Sequence, residues 1–340
     1  MLQTYATVKA IKQLGHDVFI VDIRQPEKQR GGIAGLVIKC LYFQRDREVL
    51  SFKRHFYPEL TRTYTSVEDL RNDAPQADCY LVGSDQTWNP AKSKNMMMAY
   101  FLAFGPDSIK RVSYASSLGV KKWGGEPSFT EEIKAALEKF QAISVREKSG
   151  QKVLKETFGI NSTLVVDPTL LFDGYPELAN NVQEKNEIIC YKLRRNNDFY
   201  THIGELKQAL GCPARLINNA YPVKGLKYTT PHGPAGWIKL IASAKFVITD
   251  SFHGLAFSLL NKRQFAVVRI LDGEDSRTED LLASLGLEDR IFDSMTDMLD
   301  SRCFEKKIDY QVIAERMQNL RETSWDFLRE AVGETNDNQN

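Results

Sequence analysis

The sequence predicts an α/β protein of two Rossmann-like domains facing a cleft. Short apolar strands, bounded by charge or turn residues, alternate with amphipathic helical segments along most of the chain, and such alternation builds parallel sheets covered by helices. At 340 residues the chain has the length of two ordinary domains. The alternation breaks at a hinge near residues 168–186, which gives an N-terminal Rossmann-like domain over 1–170 and a C-terminal one over 171–308. A C-terminal helix over 309–332 and a flexible tail over 333–340 complete the expected organisation.

Each element has a local cause. A helix over 2–14 leads into the apolar run of HDVFIVDIR; DCYLVGSD and RVSYASSLG are the next strands. Ser128 and Glu131 have capping-box spacing, and Ile133, Leu137 and Phe140 share one helical face. AISVRE, a short helix ending near Gly159, and TLVVDP follow. In the second half come EIICYKL and a helix after Asp198 that carries Phe199, Ile203, Leu206 and Leu210 and stops at Gly211. PARLINN, a helix around Trp237 to Ala242, KFVITD, a helix from Phe252 and QFAVVRI continue the pattern. The last helix has Ile313, Met317, Leu320 and Phe327 to bury. An open α/β domain normally starts on a central strand, yet this chain starts inside a helix. The first strand of the N-terminal domain is therefore expected to be missing, or its slot filled by another segment.

Composition narrows the class. Apolar content of 42% and charged content of 26% are those of a soluble globular protein. A net charge of +1 gives no global attraction to nucleic acid or an anionic membrane. The five cysteines, far apart and without a C-x-x-C, fit reduced thiols in a cytoplasmic compartment. No apolar run reaches the ~18 residues of a spanning helix, and the start lacks the apolar stretch of a signal peptide.

The chemistry is expected at the carboxyl ends of strands, where open α/β sheets hold ligands. In VITDSFHGLAFSLL, 247–260, a strand runs through Asp250 and Ser251 into a helix that begins near His253 and Gly254. A helix start offers unpaired N–H groups to an anion, glycine allows close approach, and histidine exchanges a proton near neutral pH. A capped helix with a core histidine is the plainer explanation. Gly83-Ser84-Asp85-Gln86-Thr87-Trp88-Asn89, Ser116-Ser117, Arg146 and Asp167 also follow strands. Singly, each has a structural explanation: a turn, a core aromatic, a surface ion pair, a strand stop. Their shared rim is what points to a site. Phosphate-loop, dinucleotide, nucleophile-elbow and zinc-protease motifs are all absent, as is any Asp-x-Asp. His16, His55, His202 and His232 show no metal-ligand spacing.

LQTYA (2–6), GSDQTWN (83–89), YASSLG (114–119), SVRE (144–147), VDPTLL (166–171) and TDSFHG (249–254) together resemble the polysaccharide pyruvyl transferase family, and SRTEDLLASLGLEDR (276–290) is similar to its C-terminal stretch. The resemblance implies a GT-B glycosyltransferase-like architecture and transfer of pyruvate from phosphoenolpyruvate onto two sugar hydroxyls as a cyclic ketal, in exopolysaccharide or capsule assembly. Under it, His253 becomes the general acid. Arg146 grips the donor's carboxylate or phosphate, with Ser251, Gly254 and Arg277 as further donor contacts. Gly83, Ser84, Asp85, Trp88 and Asn89 hold the acceptor, a saccharide or lipid-linked saccharide, with Trp88 stacking on the sugar. Arg146 and His253 are expected to share one crevice. No cofactor is expected beyond phosphoenolpyruvate as donor substrate; a metal requirement and the oligomeric state stay open. Two alternatives also remain: a GT-B nucleotide-sugar glycosyltransferase, and a catalytically silent sugar- or phosphate-binding relative. The strand and Asn/Gly loop that family members carry before the LQxYA helix are absent here.

Overall fold

The most apolar runs of the chain become the middle strands of its largest sheet. A computed structural model describes residues 1–24, 32–93, 96–194, 197–218, 222–269 and 276–333; the tail over 334–340 lies outside them. In chain order the elements are helix α1 (Leu2–Gln13), strand β1 (Ile20–Ile23), α2 (Gly32–Phe56), β2 (Leu60–Tyr64), α3 (Val67–Asn72), β3 (Cys79–Val82), the short α4 (Pro90–Ser93) and α5 (Met97–Tyr100), β4 (Lys110–Ser116), α6 (Pro127–Leu137), β5 (Ala142–Val145), α7 (Lys148–Val153) and β6 (Thr163–Leu164). Then come β7 (Ile188–Tyr191), α8 (Asn197–Leu210), β8 (Ala214–Leu216), β9 (Lys227–Tyr228), α9 (Pro234–Ala242), β10 (Phe246–Thr249), α10 (Phe252–Leu260), β11 (Gln264–Val268), α11 (Ser276–Leu285), β12 (Ile291–Phe292), α12 (Met295–Ser301) and α13 (Tyr310–Val332).

The chain divides into two compact units, one of Met1–Lys28, Tyr57–Leu171 and Met317–Asn340, the other of Gln29–Phe56 and Phe172–Arg316. The main break falls after Leu171, but two helices depart from a single cut. Most of α13 belongs to the first unit because Arg321 Nε donates to Leu170 O at 2.6 Å and Ser324 Oγ accepts from Val166 N at 3.0 Å. The helix expected over 309–332 thus packs against the segment that ends the first unit. Helix α2, between two strands of the first unit, belongs to the second.

In the first unit β3-β4-β5-β6 form one parallel sheet and β1-β2 another. No strand joining β1 to β3 occurs among the described residues. In the second unit six parallel strands run in the order β12-β11-β10-β7-β8-β9. Counted from β7 this is 6-5-4-1-2-3, the Rossmann order, which reverses between β7 and β10. β10 is buried along its whole length and β11 along most of it, so FVIT and FAVV read as continuous apolar runs rather than alternating ones. Helix α10 is apolar on every side for the same reason; it is a core helix.

Two local expectations change. Helix α6 starts at Pro127 with Glu126 as N-cap and no side-chain cap, so the Ser128–Glu131 box does not form. Proline at the first helical position already fixes φ and has no N–H to satisfy. Neither α2 nor β2 is among the elements expected from the sequence.

Helix α2 is held by α9. Glu48 accepts from Gly233 N, the α9 N-cap, at 2.7 Å and meets His232 Nδ1 at 3.3 Å, while Thr230 Oγ1 donates to Gln44 Oε1 at 3.1 Å. Gly233 must be small, because a Cβ there would lie 2.6 Å from Glu48 Cβ. Burial opposes ionisation of Glu48, yet the hydrogen bonds from Gln44, Gly233 and His232 outweigh it and hold the carboxyl below its usual range. A depressed carboxyl stabilises fully above its unfolded pKa of about 4.3, and that share is lost as pH falls through the folded value. Glu48→Gln should therefore melt below the parent at neutral pH, with the gap closing in acid. A gap that stays constant down to strong acid would show that the charge contributes nothing.

Candidate functional site

The carboxyl edge of the first unit's four-stranded sheet gathers residues from the end of every strand. Arg146, beyond β5, donates through Nη1 to Ser84 Oγ at 3.0 Å and to Asp167 Oδ2. Ser84, beyond β3, donates to the same Asp167 oxygen at 2.8 Å. Asp85 Oδ1 stands 3.7 Å from Arg146 Nη2, and Glu147 Oε2 stands 3.9 Å from its Nε. Glu147 Oε1 in turn accepts from Ser117 Oγ (2.9 Å), Leu118 N (2.9 Å) and Gly119 N (3.2 Å), fixing the loop after β4. The Arg146 side chain is 1% exposed, and those of Asp167 and Glu147 are fully buried, whereas that of Asp85 is 61% exposed. Two residues of this edge hold positive φ without being glycine, Asp85 at 115° and Ala115 at 54°. Backbone strain of this kind gathers where a loop must aim a side chain.

In the second unit the comparable place is the carboxyl end of β7 and β10, the point at which the strand order reverses. Lys192, just past β7, puts Nζ 3.4 Å from Asp250 Oδ2 and donates to Val268 O at 2.9 Å. Asp250 also accepts from Leu193 N at 2.7 Å and Arg194 N at 3.3 Å, so one buried pair ties together the ends of β7, β10 and β11. Burial pulls the Lys192 ammonium below its usual range, against the opposing effect of Asp250. Burial likewise pushes the Tyr191 phenol up to about 12, with Asp250 adding to the shift and a hydrogen bond with Ser251 opposing it. Ser251 caps α10, accepting from Gly254 N at 3.4 Å, and half-buried His253 lies in the first turn with its ring perpendicular to that of Phe252. Arg277 opens α11, on the carboxyl side of β11, and is half-buried. Among the described residues no group of three or more His, Cys, Asp or Glu is placed to hold a metal ion.

A family profile described as polysaccharide pyruvyl transferase matches residues 1–272, most of the chain. The chain belongs to the polysaccharide pyruvyl transferase family. The stretch 276–290 lies past the matched region. No curated protein sequence matches. Among solved structures, the UDP-GlcNAc 2-epimerase of Methanocaldococcus jannaschii is 12% identical, with 93% of this chain and 88% of that one covered and a TM-score of 0.53. A glycosyltransferase from Rickettsia africae is also 12% identical, with 96% and 92% covered and a TM-score of 0.49. At such identity the likeness to the epimerase shows the fold alone, one of the GT-B kind.

Against this family background, the predicted residues separate into two groups. Ser84, Asp85 and Arg146 meet in the first unit, with Gly83 ending β3 beside them; Ser251, His253 and Gly254 meet in the second, and Arg277 follows β11 there. Trp88 is a correction. It is 0% exposed, stacked on Phe101 at 5.0 Å and 12°, with Nε1 donating to Tyr100 O at 2.8 Å. A ring so enclosed has no face for a sugar. Asn89 is buried and spends its Oδ1 on Ala91 N at 2.9 Å, which is a turn role. Arg146 does not present an open fork, because three carboxylates already surround its guanidinium.

Gly254 is needed for packing as well: a Cβ there would lie 2.2 Å from Thr249 Oγ1. Gly254→Ala is expected to cost about 1–3 kcal/mol by overpacking α10 against β10. Adding Thr249→Ala should return part of that loss in thermal unfolding; two losses that simply add would rule out this contact as the cause.

Residue-by-residue reading gives Lys192, Asp250 and Glu147 no site role, and it places Asp167 on the rim with a strand stop as the plainer explanation. Asp250 lies in the quoted TDSFHG, and Asp167 and Glu147 lie in the quoted VDPTLL and SVRE; Lys192 carries no local signal at all.

Proposed function

We propose that the protein transfers pyruvate from phosphoenolpyruvate to two hydroxyls of a sugar, as a cyclic ketal, in surface polysaccharide assembly. Family membership supports the reaction class, and the placement of His253 carries the assignment within this chain. The other four histidines stand outside the β10–α10 turn. His16 meets Gly333 O at 2.8 Å, His55 meets Ser51 O at 2.8 Å, His202 meets Asp198 O at 2.9 Å, and His232 meets Glu48. His253 stands in the first turn of α10, where N–H groups and the helix dipole favour an anion.

In this reading Ser251, the α10 N-terminus and Arg277 take the donor's anionic groups. The His253 imidazolium gives a proton to the methylene carbon of phosphoenolpyruvate, making it a methyl group. One sugar oxygen bonds to C2 and loses its proton. The second sugar oxygen then displaces phosphate at C2, closing the ketal, and the C2–O bond to phosphate breaks. The balance is a diol plus phosphoenolpyruvate giving a ketal plus inorganic phosphate. Ser84 and exposed Asp85 are assigned to acceptor hydroxyls, and Arg146 becomes a positioning residue that holds both loops.

The test is mass spectrometry of saccharides incubated with the protein and phosphoenolpyruvate. The expected product gains the mass of phosphoenolpyruvic acid less phosphoric acid. Thermal melting separates the alternatives, since a ligand at 100 times its Kd adds about 2.7 kcal/mol. Stabilisation by a uridine diphosphate sugar alone would replace this reading with glycosyl transfer. Stabilisation by phosphoenolpyruvate without phosphate release, over a broad acceptor panel, would leave a binding protein.

A further inference from the structure

Helix α2 turns Glu48 and Phe52, the latter 4% exposed, toward its own unit. The opposite face is a stripe at steps of three and four residues: Lys39, Phe43, Arg47, Leu50 and Arg54. All five are exposed, Phe43 at 61% and Leu50 at 56%, and they follow one another as cation, apolar, cation, apolar, cation. The stripe is about 22 Å long at 1.5 Å per residue. Arg47 lies 5.7 Å over the Phe43 ring, and no carboxylate pairs with Lys39, Arg47 or Arg54 among the described residues. Asp46, at the margin of the face, is tied to Arg45 by bonds of 3.0 and 2.7 Å, and Glu48 points the other way.

We propose that this face of α2 rests on an anionic lipid surface. The alternation decides the occupant. A packed protein helix would have to bury Arg47 and Arg54 between Phe43 and Leu50, leaving guanidinium groups desolvated. At a bilayer the same order is favourable, because Phe43 and Leu50 enter the acyl boundary while the cations reach up to headgroup phosphates. Local charge does this where a whole-chain charge of +1 does not. The inference is independent of the transfer reaction proposed above.

The experiment is co-sedimentation of the full chain with vesicles of phosphatidylcholine alone or mixed with phosphatidylglycerol. Binding is expected only to the mixed vesicles and should weaken as salt is raised. Phe43→Ser/Leu50→Ser and Arg47→Glu/Arg54→Glu, both on exposed positions, should each lower partition at least about tenfold while the melting temperature stays at that of the parent. No preference for phosphatidylglycerol would overturn the proposal, as would binding indifferent to both pairs of substitutions. Loss only in the glutamate pair would remove the insertion of Phe43 and Leu50. A concentration-dependent dimer abolished by the serine pair would assign the face to a second copy instead.

Discussion

His253→Ala should lower turnover by about 10²–10⁴-fold, the usual contribution of a positioned proton donor, while phosphoenolpyruvate still protects the variant against heat. The two readouts are independent: phosphate release with an acceptor diol reports the chemistry, and melting with donor alone reports binding. His253 lies in the first turn of α10, whose Phe252, Leu255, Ala256, Phe257 and Leu259 are buried, so the substitution leaves the helix and its Ser251 cap in place. Turnover equal to the parent would take His253 out of the mechanism. Loss of donor protection along with turnover would make it a binding residue rather than a proton donor.

Arg146→Ala is expected to have the largest effect on stability. Removing one partner of a buried pair typically costs about 3–5 kcal/mol, on the order of 10 °C in melting temperature for a unit of this size. Asp167 would keep Ser84 Oγ, Thr169 N and Thr169 Oγ1 as donors at 2.8, 3.0 and 2.7 Å, but lose the Arg146 cation. Glu147 would also lose its cationic neighbour. Adding Asp167→Asn to Arg146→Ala should recover part of the loss, because it removes the stranded charge. A variant that melts like the parent yet binds donor poorly would instead restore Arg146 to the direct grip on phosphoenolpyruvate that the resemblance implies.

Much of the candidate site is legible in order but not in contact. The strand ends at Ser84, Arg146 and Asp167 can each be read from an apolar run followed by a polar residue, and they do meet at one edge. What each does there is not readable, since it depends on partners 62 and 83 positions away. Trp88 shows the same limit. Beside Asp85 and Asn89 it resembles a sugar platform, and only Phe101 and Phe140 packed against it make it core. Lys192 has no signal at all until β11 brings Val268 O beside it.

The sequence by itself determined the α/β class, the β10–turn–α10 unit that carries Ser251 and His253, and the run of blocks that places the chain in its family. Those features are local: strand and helix periods, a serine cap and a glycine against a threonine all act within a few residues. Only the tertiary structure decided the 6-5-4-1-2-3 order of the second sheet, the units to which α2 and α13 belong, and the enclosure of Arg146 by three carboxylates. Those depend on which distant segments exclude water from one another, and burial sets both where an ion pair forms and whether an aromatic ring is available to a ligand.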